Sequence, residues 1–189
     1  MQIPRISIVN VVATATLDRN VDLEFLKESF PREVVHDPEI YGGRAAYFKS
    51  NKMEGRVSIF SSGKMISVGT KSQDKAKQEL VLVTNRLEKK GIAKLESPVE
   101  IQNIVATADL GFELPLESIM HTQGVQTIYE PEQFPGAIIR FSLSRKLKPA
   151  ILLFSSGKIV CVGMKDQRDV ERAIHHLLKK FPSMGIIPQ

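Results

Sequence analysis

The chain carries one pattern twice. Asn10-Val-Val-Ala-Thr-Ala-Thr-Leu17 returns as Asn103-Ile-Val-Ala-Thr-Ala-Asp-Leu110, an offset of 93 residues, and Phe60-Ser-Ser-Gly-Lys64 returns unchanged as Phe154-Ser-Ser-Gly-Lys158, an offset of 94. Between them Asp37-Pro-Glu-Ile-Tyr-Gly-Gly43 answers Glu130-Pro-Glu-Gln-Phe-Pro-Gly136. Three matches in one order at nearly one offset restrict the fold to two copies of one unit. The period exceeds the 20–50 residues of a solenoid repeat. It reads as a duplicated half-domain, residues 1–95 and 96–189, with a pseudo-twofold axis between the copies and the two together forming one domain.

Local signals repeat with it. In the first copy, β-branched residues predict a strand over 6–16. Asp22 is placed to cap a short helix that Pro31 ends. Strands follow near 33–36, 43–49, 56–61 and 65–70, the last two flanking Ser62-Gly63 as a two-residue hairpin turn. Ser72 opens a helix to about residue 90, with Ala76, Leu80, Val83 and Leu87 at helical spacing and Gly91 as its stop. The second copy predicts a strand over 99–110, a helix over 115–121, strands near 126–129, 136–143, 149–154 and 158–164, and a helix over 166–180. Residues 93–98 link the copies.

Two helices for every five strands cover one face of a sheet. Yet the strands are apolar on both faces: Ile151, Leu153 and Ile159 share one parity, while Leu152, Phe154, Val160 and Val162 share the other. Either the second face stays open as a binding surface, or two such sheets pack on each other, within the chain or in a homodimer.

Bulk properties narrow the function. Of 189 residues, 26 are Lys or Arg and 21 Asp or Glu, a net charge of +5 that favours a polyanionic partner only where it is clustered. The single cysteine, Cys161, excludes an internal disulfide and a Cys-based metal site and reads as a core residue. No apolar run approaches bilayer-spanning length and no signal-peptide core is seen, so no membrane partner and an intracellular location are expected. His36, His121, His175 and His176 are scattered. No catalytic triad order, metal-spaced cluster or phosphate-cradling glycine loop appears. Phe-Ser-Ser-Gly-Lys lacks the spacing of a phosphate loop, so neither an enzyme nor a cofactor is expected.

The paired blocks Asn-Ile/Val-Val-Ala-Thr, Glu-Pro-Glu-Gln-Phe-Pro-Gly and Phe-Ser-Ser-Gly-Lys resemble the archaeal TATA-box-binding protein family over residues 6–187. The resemblance implies an α+β saddle: two pseudo-symmetric repeats forming a curved ten-stranded antiparallel sheet, with four helices on the convex face. It implies an initiation factor that binds and bends A·T-rich promoter DNA through the minor groove and recruits transcription factor B, and through it the RNA polymerase pre-initiation complex. By the same resemblance Val12, Ile66, Val105, Leu152 and Val160 press on the groove floor, where A·T pairs present acceptors and no guanine amino group. Phe60, Phe134 and Phe154 occupy three of four wedge positions, and Tyr41 the fourth. Asn10 and Asn103 donate to central base acceptors. Val68 and Val162 replace the family's usual threonines beside them, which points to a divergent paralogue with relaxed promoter choice as one alternative reading.

Lys64, Lys71, Lys158, Lys165 and Arg140 fall on phosphate-contact positions, with Ser62 and Ser156 at the turns beside them. Arg140 is matched to Tyr47, and Gln133 to Ile40, in the first copy. Ile40, Tyr41, Gly42, Tyr47 and Ser58 all depart from the family pattern, so the first copy is expected to grip DNA less well. Glu130 and Glu132 lie in a loop that resembles the docking site for transcription factor B. A non-DNA protein- or ligand-binding module on the same fold is the other alternative.

Overall fold

The computed structural model describes residues 4–120, 125–145 and 147–186. In chain order they form β1 (Ser7–Thr16), α1 (Leu23–Ser29), β2 (Val34–His36), β3 (Ala45–Phe48), β4 (Arg56–Phe60), β5 (Lys64–Thr70) and α2 (Gln73–Lys89). The pattern then repeats as β6 (Glu100–Asp109), α3 (Leu116–Ile119), β7 (Gln126–Ile128), β8 (Gly136–Arg140), β9 (Ala150–Phe154), β10 (Lys158–Met164) and α4 (Gln167–Lys180). The end of the helix expected over 115–121 lies outside the described residues. The strand expected over 136–143 ends at Arg140.

Contacts group the chain into two compact units: Asn10–Gln102, and Asn103–Gln189 with the N-terminal residues through Val9. In the first, neighbouring strands run in the order β2-β3-β4-β5-β1; in the second, β6-β10-β9-β8-β7. Every strand pairing within these orders is antiparallel.

Side-chain oxygens cap three helix starts, Asp22 as the sequence predicts. The Asp22 carboxylate accepts the N–H groups of Glu24 and Phe25, Ser72 accepts that of Lys75, and Asp166 accepts that of Arg168. Each satisfies donors that the first helical turn leaves open. Helix α2 buries Ala76, Leu80, Val83 and Leu87, and α4 buries Val170, Ala173, Ile174, Leu177 and Leu178. They pack on one set of strand side chains: Val57, Ile59 and Met65 in the first unit, and Ile139, Ile151, Leu153 and Ile159 in the second, all with no exposed surface. Cys161 belongs to the same buried set, and burial pushes its thiol up to about 12. Burying a Val, Leu or Ile side chain contributes ~1.5–3 kcal/mol, so this layer fixes which parity faces inward.

One polar group is built into the α2 layer. Glu79 is 2% exposed, and its Oε1 accepts the N–H of Glu54 at 2.6 Å and of Gly55 at 3.1 Å. Buried Ser67 and Thr70 lie on the strand beneath. At the corresponding places the second unit has Ala173, Cys161 and Met164.

The hairpin turns differ from the expected two-residue form. Three residues, Ser61-Ser62-Gly63 and Ser155-Ser156-Gly157, separate the strands. Gly63 and Gly157 both lie at φ +83°. This is the three-residue loop whose last position is left-handed, so glycine ends it. Each tip is also pressed against the chain: a Cβ on Gly157 would stand 2.1 Å from the carbonyl oxygen of Phe112, and one on Gly63 would stand 2.6 Å from that of Arg19. Gly91 has a similar φ of +68° but open space around it. Gly91→Ala is therefore expected to cost about 1 kcal/mol of left-handed strain, and Gly157→Ala at least twice that because the hairpin must also move. Urea unfolding midpoints measure the difference, and equal shifts would show that the tip yields freely.

Candidate nucleic-acid interface

The parity left over by the helices forms a second, half-exposed face in each unit. In the first it carries Asn10, Val12 and Thr14 on β1, Ser58 and Phe60 on β4, and Ile66 and Val68 on β5. In the second it carries Asn103, Val105 and Thr107 on β6, Ile138 on β8, Leu152 and Phe154 on β9, and Val160 and Val162 on β10. Cross-strand neighbours make this continuous: Ile66 lies between Thr14 and Ser58, and Val160 between Thr107 and Leu152. It is the face opposite the one that each unit buries under its own long helix. The expected groove-floor residues Val12, Ile66, Val105, Leu152 and Val160 thus share their unit's open face.

Asn10 and Asn103 are held identically. Between Val11 and Ala13 the β1–β5 register slips by one residue, so that β5 bulges at Val68-Gly69; β10 bulges at Val162-Gly163 against β6. Gly69 at φ +91° and Gly163 at φ +88° supply the left-handed residue such a bulge requires. Each bulge turns an amide out of the ladder, and an asparagine takes it: Gly69 N–H donates to Asn10 Oδ1 and Gly163 N–H to Asn103 Oδ1, both at 2.8 Å. A backbone donor must meet the carboxamide oxygen, so each Nδ2 amide remains as the outward donor. Val68 and Val162 occupy the other bulge positions, so an aliphatic surface flanks each amide.

The aromatic pairs differ between units. Phe134 and Phe154 pack edge to face, with centroids 5.7 Å apart and planes at 65°. Tyr41 is 69% exposed at φ +52°, in a short 3-10 turn over Ile40–Gly43. Among the described residues no ring contact joins it to Phe60. The cause is loop length. Eight residues separate β2 from β3, and seven separate β7 from β8. Ladder pairing makes Tyr129 the counterpart of His36, which adds Tyr129 to β7's span and leaves six residues against eight. Gly42 and Gly43, at φ +60° and +71°, accommodate the longer path. His36 ties it down, with Nδ1 3.0 Å from Glu24 Oε1 and Nε2 3.0 Å from the Gly43 carbonyl oxygen.

The same two residues correct one expected correspondence. Phe60 pairs with Ala45 and Phe154 with Gly136, so Ala45 answers Gly136, Tyr47 answers Ile138, and Lys49 answers Arg140. Tyr47 is not the counterpart of Arg140; matching by motif offset carried an unseen insertion into β3. Sequence reasoning also missed Arg56. Its guanidinium lies 4.5 Å above the centre of the Tyr47 ring, and it pairs across the ladder with Val68. Arg56 occupies the place held by Ala150 in the second unit, a repeat-to-repeat change that the sequence displays.

Lys64, Lys71, Lys158, Lys165, Arg140, Ser62 and Ser156 are all exposed, the hairpin lysines and serines clustering at each tip. Glu130 and Glu132 are exposed in the β7–β8 loop, whose backbone closes by bonds from Gln133 N–H and Phe134 N–H to the Glu130 carbonyl oxygen. Among the described residues the histidines show no shared site: His36 is buried as described and His176 packs on Phe141, while His121 lies outside the described residues. No group of three potential metal ligands comes together among the described residues, and no described helix is long and apolar enough to cross a membrane.

Residues 5–90 and 98–184 each match the family model described as transcription factor TFIID, or TATA-binding protein. The chain belongs to the TATA-binding protein family. It is 34% identical to the TATA-box-binding protein of Archaeoglobus fulgidus over 99% of this chain and 100% of that one. To the protein of the same name from Methanocaldococcus jannaschii it is 37% identical over 93% and 92%. The solved structure of Methanococcus jannaschii TBP matches with a TM-score of 0.76 at 33% identity, covering 97% of this chain and 100% of that chain. The α+β fold of the family is the fold of this chain, with ten strands and four α-helices among the described residues. The TATA-binding protein family is one of transcription factors and not of enzymes.

The bulge geometry generates a sharp expectation. Asn103→Asp keeps an acceptor for the Gly163 N–H but replaces the outward amide donor with a carboxylate oxygen. The urea midpoint should stay unchanged, while affinity for an A·T-rich duplex falls at least tenfold because an anion then faces acceptor-lined, anionic DNA. Unchanged affinity in a fluorescence anisotropy titration would show that this amide faces no base.

Proposed function

We propose that this chain is a transcription initiation factor that binds A·T-rich promoter DNA through the minor groove, bends it, and recruits transcription factor B. The reading rests above all on one observation: in each unit an open aliphatic face carries a bulge-held asparagine with its donor pointing away from the backbone. An aliphatic surface suits a groove that lacks the guanine amino group, and an amide donor suits N3 of adenine and O2 of thymine. Phe60, Phe134 and Phe154 act as wedges between base steps, the mode of this family. Lys64, Lys71, Lys158, Lys165 and Arg140 contact phosphates, and the two repeats, 1–95 and 96–189, work together as one domain. A factor acting on chromosomal DNA works inside the cell. Val68 and Val162 support a narrower form of the reading, a paralogue with relaxed promoter choice, since the bulges carry no hydroxyl for the bases they flank.

Energy transfer between dyes at the two ends of a short TATA duplex should rise on saturation with protein; no rise would refute bending. Phe134→Ala and Phe154→Ala should each weaken binding by ~5–150-fold, in line with ~1–3 kcal/mol for an aromatic–base stack. Tyr41→Ala should cost clearly less, because its ring stands apart from Phe60. Equal losses at all three positions would remove the asymmetry between the repeats.

Reversing Glu130 and Glu132 to lysine should leave binary DNA binding intact or slightly tighter, since negative charges near a polyanion become positive. The same double variant should sharply weaken the ternary complex with transcription factor B, whose basic surface would then meet like charge. Gel shifts with and without that partner separate the two effects. A normal ternary band would place the docking site elsewhere.

A further inference from the structure

The register of the first unit raises a question that the proposed DNA contact leaves open. In the second unit the cation at this corner of the sheet is Arg140, exposed at the end of β8 and paired across the ladder with Ala150. Its counterpart is Lys49, and the Lys49 ammonium is already engaged, donating to the carbonyl oxygens of both Glu54 and Gly55. Those carbonyls belong to the turn whose N–H groups Glu79 holds from the other side. Lys49 is thus a brace for the turn before β4. Lys49 is exposed and keeps its charge, but with its ammonium tied to the turn it is less free to reach an anionic partner.

Arg56 supplies a freer cation. It stands one strand over, at the position of Ala150, exposed and on the open-face parity with Ser58 and Phe60. Its guanidinium rests on the Tyr47 ring, and no carboxylate pairs with it among the described residues; the nearby Glu33 carboxylate is taken by Arg86 at 2.9 Å. Tyr47 stands where the second unit has Ile138, so the ring and the arginine resting on it both depart from the second unit. The ring holds the planar guanidinium by cation–π attraction and leaves its N–H edge outward. A shallow hollow of about 520 Å³, lined in part by Val35, Tyr47, Arg56 and Val68, opens beside it.

We propose that Arg56, seated on Tyr47, is the phosphate-binding cation of the first repeat, taking the role that Arg140 holds in the second while Lys49 has become structural. The inference rests on the proposed DNA binding and names one more residue of that interface. It replaces the expectation that the first repeat has simply lost a positive contact at this corner.

The test is the salt dependence of binding by the full chain to fluorescently labelled duplexes, measured by anisotropy at several potassium chloride concentrations. Each neutralised phosphate contributes about 0.9 to the slope of log K against log salt. Arg56→Met keeps the aliphatic packing on Tyr47 but removes the charge. It should lower the slope by about 0.9, with an affinity loss of similar size on duplexes of different sequence. Arg56→Lys, which retains the charge, should restore the wild-type slope. A slope unchanged in Arg56→Met overturns the assignment and leaves the residue a packing group. A loss confined to one base sequence, with the slope intact, overturns it in favour of a base-edge contact. If the wild-type chain binds no duplex at all, DNA binding itself fails and this inference falls with it.

Discussion

A single layer of helices on a sheet with two apolar faces is the constraint from which the rest follows. Side chains alternate along a strand, so Val57, Ile59 and Met65 can enter the α2 layer only if Ser58, Phe60 and Ile66 turn the other way. A shift of one residue would exchange the two sets and expose the core. The open face is therefore fixed by the packing behind it and needs no partner to define it. Its chemistry is free to vary, and does: the open set carries Ser58 against Leu152 and Tyr47 against Ile138.

The bulges show how a backbone irregularity becomes a recognition element. An unbroken ladder would use every amide of β5 and β10 in pairing and leave the asparagine carboxamides free to rotate. One extra residue per strand releases a glycine N–H, and that N–H fixes which end of the carboxamide faces outward. Glycine is needed because the bulge takes φ near +90°, where a side chain would be strained. Valine is tolerated beside it, since the other bulge residue keeps ordinary geometry.

Much of this was legible in the sequence because the duplication provides an internal control. Strands, helices and the Asp22 cap follow from alternation, helical spacing and a side-chain oxygen at a helix start, all of them local. The parity argument isolated a second apolar face, though not what covers it, because it needs only period two and a helix count. Register across strands was not legible. The motifs on either side of the β2–β3 loop lie at offsets of 93 and 94, which conceals two extra residues on one side of β3 and a shorter connection on the other. That compensation led to Arg140 being matched with Tyr47, and only hydrogen-bonded pairing reveals Lys49. Arg56 escaped notice for a related reason: a charged residue at the start of a strand reads as solvated until the Tyr47 ring is found beneath it.

A chain containing the same unit twice faces an assembly problem, because each long helix meets two similar sheets while folding. The buried carboxylate of Glu79 distinguishes them. On its own sheet it caps the N–H groups of Glu54 and Gly55 above Ser67 and Thr70. Laid on the second sheet, α2 would press that carboxylate against Cys161 and Met164, where an unpaired charge costs several kcal/mol. Laid on the first sheet, α4 would bring Ala173 and leave those two amides without their acceptor. The mismatch gives each long helix a chemical preference for the sheet of its own repeat.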